Sequence, residues 1–459
     1  MKRSATLVLL ASLAGSAYAQ QSPVLATYPV GTTTLTLSAL TTNLDTPWEL
    51  LWGPDNFLWM TERGGRISRI NPTTGQVLPL LTVADVTETG ESGLLGMVLH
   101  PDFTASPYVY VVYNYTTAGA LKEKLVRYTY SATAGTLSSP LVLLANIQAA
   151  TTHSGSRLLI LPDRTLLMTT GDAQELTFPQ NSTALNGKIL RLNLDGTVPA
   201  TNPTPGSLVY TRGHRNAQGL TRTAAGRIYS SEHGPDSDDE VNLIEPGRNY
   251  GWPSVAGFCN LPAEQTFCTA NNVREPLAAY TPTLAVAGIT SYNSPAVPQW
   301  SNSLLLVSLK AGKLTNLKLN PNGDQVTSQA DLWTGTYGRM RAICTSPQGR
   351  IYIATSNNGT DDRILVLENR AFTPNSVDKG LSAKLAIWPN PATRTATVRL
   401  PAPATAALVV RDALGRTTQT VAMTGRQEVE LDLRRLAPGL YTVQTQIGEA
   451  QVLRRLVVE

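Results

Sequence analysis

Histidine is scarce in this 459-residue chain, with four residues, and cysteine is scarcer, with three. Cys259 and Cys268 fall in one stretch and can pair there, leaving Cys344 over as a buried thiol. Three cysteines suit an oxidising compartment but cannot make a disulfide scaffold. No histidine accompanies them at zinc-like spacing, which argues against a zinc site. Past the first twenty residues there is no apolar run of about 18–20 residues, so no membrane span is expected. Nor does any stretch keep a helical apolar period for more than about three turns. Charge is sparse too, at 15% of residues with a net of +4. Lys2 and Arg3 lie at one end, and nine arginines against six acids lie from Leu385 onward. The body between them is close to neutral and lacks the basic face that nucleic-acid binding requires.

What the sequence does have begins with an export signal. Met1 to Ala19 combines a short basic start, the apolar run Leu7 to Leu13, and small residues Ala17 and Ala19. That predicts a signal peptide over residues 1–19, cleaved before Gln20, and a soluble exported mature chain.

A turn followed by a β-rich segment then recurs. Gly53-Pro54-Asp55 precedes Phe57 to Thr61, His100-Pro101-Asp102 precedes Tyr108 to Tyr113, and Pro162-Asp163 precedes Leu166 to Thr170. Ala225-Gly226, Ser301-Asn302 and Gln348-Gly349 stand before Ile228 to Ser231, Leu304 to Ser308 and Ile351 to Thr355. Most are followed by a second strand, such as Arg66 to Ile70 or Lys313 to Leu319. Six imperfect units predict an all-β fold, a six-bladed β-propeller over residues 20–371. A β-sandwich is the competing architecture, but radial closure leaves fewer exposed edges.

Residues 372–384, with Pro374, Asn375 and Gly380, read as a linker. Beyond them, residues 385–459 carry five short strand patterns and turn signals, which predicts a small immunoglobulin-like β-sandwich. This tail resembles the C-terminal sorting domain of the type IX secretion system. The carrying residues are Pro389-Asn390-Pro391, Asp412 to Arg416, Leu436 to Tyr441 and the final Arg454 to Val458. The resemblance implies a partner in the secretion machinery and no part in catalysis.

The most informative stretch runs from Thr211-Arg212-Gly213-His214-Arg215-Asn216 through Glu232-His233-Gly234-Pro235 to Asn249-Tyr250-Gly251-Trp252-Pro253. Polar and charged side chains set between glycines suit a core strand poorly. Arg215 offers a fixed fork of donors for an anion or carbonyl. Gly234-Pro235 can turn backbone carbonyls toward a hard cation. A turn-rich loop with solvated charges is the plain alternative.

Gly213 to Asn216 with Gln218-Gly219, then Glu232-x-Gly234-Pro235-x-x-x-Asp239-Glu240-x-Asn242, resembles the soluble pyrroloquinoline quinone (PQQ) dependent glucose, aldose-sugar and sorbosone dehydrogenase family. The likeness runs roughly from Leu44 to Leu367. It implies that His153 is the catalytic base, that Asp172 is its partner, and that Arg215 and calcium stabilise developing oxygen charge. It implies cofactor contacts from Arg215, Asn216, Lys310, Arg339 and Arg341, and calcium held by the carbonyls of Gly234 and Pro235. Arg339 and Arg341 alternate, so on a strand they would share a face. Asp239 and Glu240 suggest a second calcium site, or a solvated acidic loop. Glu91 stands where the family has Gln, and Thr152 where the glucose enzymes have Asp. Both lie on the substrate side in the family, which puts glucose specificity in question.

The resulting expectation is a secreted quinoprotein oxidising the C1 hydroxyl of an aldose, or a related alcohol, to a lactone by hydride transfer to calcium-bound PQQ. Its electron acceptor is unknown. A calcium-dependent propeller lactonase or esterase, and a non-catalytic carbohydrate-binding propeller, are the rival readings.

Overall fold

The computed structural model describes residues 23–357, 359–372, 379–402, 407–412, 416–423, 425–447 and 450–459. The expected signal peptide, residues 373–378 of the expected linker and the turn at Leu414 lie outside them. The chain divides into two units, one ending at Asn369 and one starting at Arg370.

The described residues of the first unit form six antiparallel sheets. In one, Pro47–Trp52, Leu58–Glu62, Arg66–Ile70 and Val77–Thr82 pair in sequence order. The last of these strands is the most exposed, which places it at the outer edge. The turn residues explain the local geometry. Asn56 takes a positive φ of 61°. Asp55 accepts Trp59 Nε1–H at 3.0 Å and is gripped by Arg69 at 2.8 Å. Asp163 repeats the device, accepting Thr165 N–H at 3.1 Å and pairing with Arg191 at 2.6 Å. The turn carboxylate thus ties the start of one strand to its neighbour.

One edge strand of each sheet, namely Pro47–Trp52, Leu94–Leu99, Gly155–Ile160, Ala217–Arg222, Val286–Tyr292 and Met340–Thr345, faces its counterparts in the neighbouring sheets. Each touches the next, and Met340–Thr345 touches Pro47–Trp52, so the contacts run in a cycle. Apolar clusters fill the gaps between sheets. Trp59 and Ile67 pack with Met97 and Val111, Tyr110 with Met168 and Leu190, and Tyr229 and Val241 with Leu304 and Leu306. Each fully buried aliphatic or aromatic side chain contributes about 1.5–3 kcal/mol. The sixth sheet is closed by the chain's own beginning: Thr33–Leu44 pairs antiparallel with Asp362–Glu368, Leu37 opposite Leu367.

One insertion is helical. Pro262–Asn271 follows the disulfide half Cys259 and carries its partner Cys268. No residue of this helix is buried, so it leaves no apolar period in the sequence. Cys344 is a buried free thiol.

The second unit has two sheets among the described residues. Ala386–Trp388, Thr395–Arg399 and Glu428–Asp432 form one; Thr417–Val421, Leu408–Arg411, Gly439–Ile447 and Ala450–Val458 form the other. Val398 and Leu431 from the first meet Val410, Val443 and Leu456 from the second in one core.

Candidate functional site

Register brings the first two residues together. Gly155–Ile160 pairs antiparallel with Thr165–Thr170, with Gly155 opposite Thr170. His153 precedes one strand and Asp172 follows the other, so both emerge at the same end. Gly171 makes the approach possible: a Cβ there would lie 1.8 Å from the His153 carbonyl oxygen. His153 itself has φ 61°, an unfavourable left-handed value held by its surroundings.

His153 Nδ1 lies 2.8 Å from Asp172 Oδ1. A carboxylate can only accept, so Nδ1 carries the hydrogen and the Nε2 lone pair is left for a proton. Asp172 is 1% exposed and is held three further ways. Gln174 N–H donates to Oδ1 at 2.8 Å, Trp252 Nε1–H donates to Oδ2 at 2.9 Å, and Asp172 N–H donates to the Arg215 carbonyl at 2.8 Å.

Arg215 and Asn216 belong to the turn before Ala217–Arg222, and Glu232 organises it. Its carboxylate accepts the backbone N–H of Arg215 and, at 3.2 Å, that of Asn216. It also accepts His214 Nδ1–H at 2.9 Å. His214 stacks on Tyr250 with ring centroids 4.6 Å apart. The Arg215 side chain donates to the His233 carbonyl at 3.3 Å and lies over the Trp252 ring at 5.4 Å. Burial pushes the Arg215 pKa down, and Asp172, Glu232 and Glu91 pull it back.

Arg341 lies in the inner strand Met340–Thr345, 6% exposed. Its NH1 donates to the Gln218 side chain, whose Nε2–H donates to Asn216 Oδ1 at 2.9 Å. Arg157 joins the same network by donating to Glu49 and, at 2.9 Å, to the Gln218 carbonyl. Burial pushes Arg341 down to about 9, with Glu91 opposing and Arg157 and Arg339 adding like-charge repulsion. The Nε–H groups of Arg339 and Arg341, and Nδ2 of Asn216, are buried without hydrogen-bond partners. Such groups are costly unless an acceptor arrives, and anionic oxygens would satisfy them.

The Glucose / Sorbosone dehydrogenase family pattern matches residues 44–366, which span all but the N-terminal strands of the first unit and the final residues of Asp362–Glu368. The chain belongs to this family. Quinoprotein glucose dehydrogenase B of Acinetobacter calcoaceticus is 33% identical over 404 residues, covering 69% of this chain and 84% of the relative. Among solved structures, the PQQ-bound aldose sugar dehydrogenase of Streptomyces coelicolor is 31% identical, with TM-score 0.63, covering 74% of this chain and 99% of that one. The apo-form soluble aldose sugar dehydrogenase of Escherichia coli is 28% identical, with TM-score 0.67, covering 73% and 100%. The first unit is accordingly a β-propeller. Residues 386–459 match a secretion system C-terminal sorting domain, of the type IX kind.

The other residues expected from the family differ in how closely they gather. Glu91 reaches the centre: its Oε2 lies 3.5 Å from the His153 N–H. Thr152 accepts a hydrogen bond from the Gln174 side chain. Arg339 precedes the strand that holds Arg341, and a bulge falls between Met340 and Ala342. The two arginines therefore do not simply alternate on one strand face. Lys310 is exposed, with Nζ 3.3 Å from Thr283 Oγ1.

Gly234 and Pro235 line a cavity with Arg215, Glu232, His233 and Glu240. Asp239 and Glu240, expected as a possible second calcium site, take different partners. Neighbours on a strand point to opposite faces. Asp239 accepts the backbone N–H groups of Gly234 at 2.9 Å, Leu284 at 2.7 Å and Val286 at 3.2 Å, a turn-fixing role. Glu240 faces the cavity, accepting Asn242 Nδ2–H at 2.9 Å and Gly257 N–H at 2.7 Å.

Glu232, His233, Gln218 and Trp252 stood in the informative motifs without an assigned role, and the Glu49–Arg157 pair had no expected place in the site. The scarcity of histidine was the available signal for His233. Burial pushes it down to about 4 despite the pull of Glu91, and its Nε2 is buried without a partner.

Proposed function

We propose that this chain is an exported quinoprotein oxidoreductase that oxidises the C1 hydroxyl of an aldose, or a related alcohol, to a lactone. The proposed layout is a signal peptide over 1–19, a six-bladed propeller over 20–371, a linker over 372–384 and an immunoglobulin-like sorting sandwich over 385–459. The observation that carries the reading is His153 held by Asp172 at 2.8 Å, in a family whose relatives include quinoprotein and PQQ-bound sugar dehydrogenases.

The residues fit the cofactor. Arg341 and Asn216 present buried, unpartnered donors, and Arg339 and Lys310 add charge, suiting a ligand with several carboxylates. Gly234 and Pro235 are the candidates for calcium, with Glu240 on the same cavity. PQQ, when bound beside calcium, supplies an electrophilic carbonyl that accepts the substrate's two electrons as hydride. His153 Nε2 takes the proton from the substrate hydroxyl, which raises electron density at the carbon that is oxidised. Asp172 keeps the imidazole in the required tautomer and orientation. Arg215 offsets negative charge that develops on oxygen in a partly buried setting. Glu91 and Thr152 lie on the substrate side and set which sugar fits. The sorting tail supports export to the cell surface or medium.

The test is reconstitution. Purified protein should oxidise sugars with a dye acceptor only after PQQ and calcium are both added. Sugar oxidation without PQQ, or lactone hydrolysis in its place, would overturn the reading.

A further inference from the structure

Asp172 has two oxygens, and only one faces His153. The other accepts Trp252 Nε1–H at 2.9 Å, from a residue 80 positions away. The same indole lies 5.4 Å from the Arg215 guanidinium carbon. Trp252 therefore touches the partner of the proposed base with its edge and the proposed oxyanion cation with its face.

Trp252 is itself fixed by the backbone. Its N–H donates to the Gly213 carbonyl at 3.0 Å. Its carbonyl accepts Gln180 Nε2–H at 2.7 Å. Gln180 and Asn249 exchange two side-chain hydrogen bonds, at 3.0 and 2.8 Å. The loop bearing Gln180 is clamped by Lys188, whose buried ammonium donates to the carbonyls of Phe178, Pro179 and Asn186 at 2.7, 3.1 and 2.7 Å. An indole held this tightly does more than fill space, because its one donor is spent on a carboxylate already bonded to imidazole.

We propose that Trp252 is a positioning residue for the reaction: its indole N–H fixes the second oxygen of Asp172 while its ring holds Arg215, so that base and cation keep one geometry. This rests on the reading of His153 as the base. The charged groups facing His153 are Asp172 and Glu91, with Arg215 and His233 nearby. Removing the indole donor leaves more negative charge on Asp172, which favours the protonated imidazole.

Trp252→Phe should lower kcat roughly 10- to 100-fold, the scale on which lost orienting partners act. KM and PQQ affinity should change little. In an Asp172→Ala background the same substitution should cost less than about twofold, because the two residues act as one unit. A readout without turnover comes from modifying His153 with diethyl pyrocarbonate in the cofactor-free protein, followed by mass spectrometry. The pH midpoint of that reaction should rise in Trp252→Phe. If Trp252→Phe folds poorly, 3-benzothienylalanine at position 252 keeps the ring's shape and removes only the donor. An unmoved midpoint, or a full kcat loss that persists with Asp172→Ala, would overturn the positioning role. His153→Gln run alongside separates the two failures. If His153→Gln keeps its turnover, the reading of the base fails; if only Trp252→Phe is silent, the inference about Trp252 fails alone.

Discussion

Glu232 holds His214 at 2.9 Å with one carboxylate oxygen and gathers the backbone N–H groups of Arg215 and Asn216 with the other. The turn that presents the proposed cofactor contacts is therefore shaped by a carboxylate that contacts no reacting atom in the proposed mechanism. Glu232→Gln leaves a single acceptor for three donors. Leaving a buried donor unmet costs about 1–3 kcal/mol. We expect a lower melting temperature together with weaker PQQ binding, read by thermal unfolding and cofactor titration. If both are unchanged, Glu232 does not organise the turn.

Arg341 is a buried cation whose Nε–H has no hydrogen-bond partner, with Arg339 adding like-charge repulsion. A charge-assisted hydrogen bond is worth about 1.5–3 kcal/mol, so Arg341→Ala should weaken PQQ binding roughly 10- to 150-fold. Quinone titration monitored by absorbance checks this. Wild-type affinity would remove Arg341 from the cofactor site.

Glu240 gives the cavity a pH dependence. Burial raises its pKa to about 8, and the Glu232 charge adds to the rise. The folded chain then keeps a proton that the unfolded chain releases near the usual carboxylate value. This contribution to stability is full below about pH 4.5 and is lost as pH rises through about 8. Metal-free protein should lose melting temperature over that window, and Glu240→Gln should flatten the slope. Calcium should restore the loss at the alkaline end, since a cation takes the proton's place. An unchanged slope in Glu240→Gln would contradict the assignment.

The sorting tail has its own core, with Val398, Val410, Val443 and Leu456 buried together. Deleting residues 385–459 should leave PQQ-dependent turnover unchanged in the purified protein while stopping export in the native host. Loss of folding in the truncated chain would show that the propeller depends on the tail.

The repeated turns were legible because the chemistry is local. Asp55 and Asp163 sit beside the strands they fix, and strand-forming residues follow: Phe57 and Trp59 after the first, Thr165 after the second. What joins the chain's beginning to its end was not legible. Thr33–Leu44 has the same alternating pattern as any other strand, and nothing within it names Asp362–Glu368 as partner. His153 and Asp172 came from the family resemblance. The tie of Trp252 to Asp172 was not legible, because it depends on how separate loops meet. Asp239 and Glu240 are neighbours in sequence, but the period of two along a strand gives them different partners. The helix Pro262–Asn271 went unread because it buries nothing.

The central claim is that His153 is the base. His153→Gln keeps a polar side chain of similar reach and removes the proton acceptor. The account predicts turnover lower by about 10²- to 10⁴-fold, with PQQ and calcium still bound and the melting temperature close to wild type. Asp172→Asn should cost less, because that carboxylate only orients the ring. Near-normal turnover of folded His153→Gln, accompanied by a lower melting temperature, would contradict the account and leave His153 a structural residue.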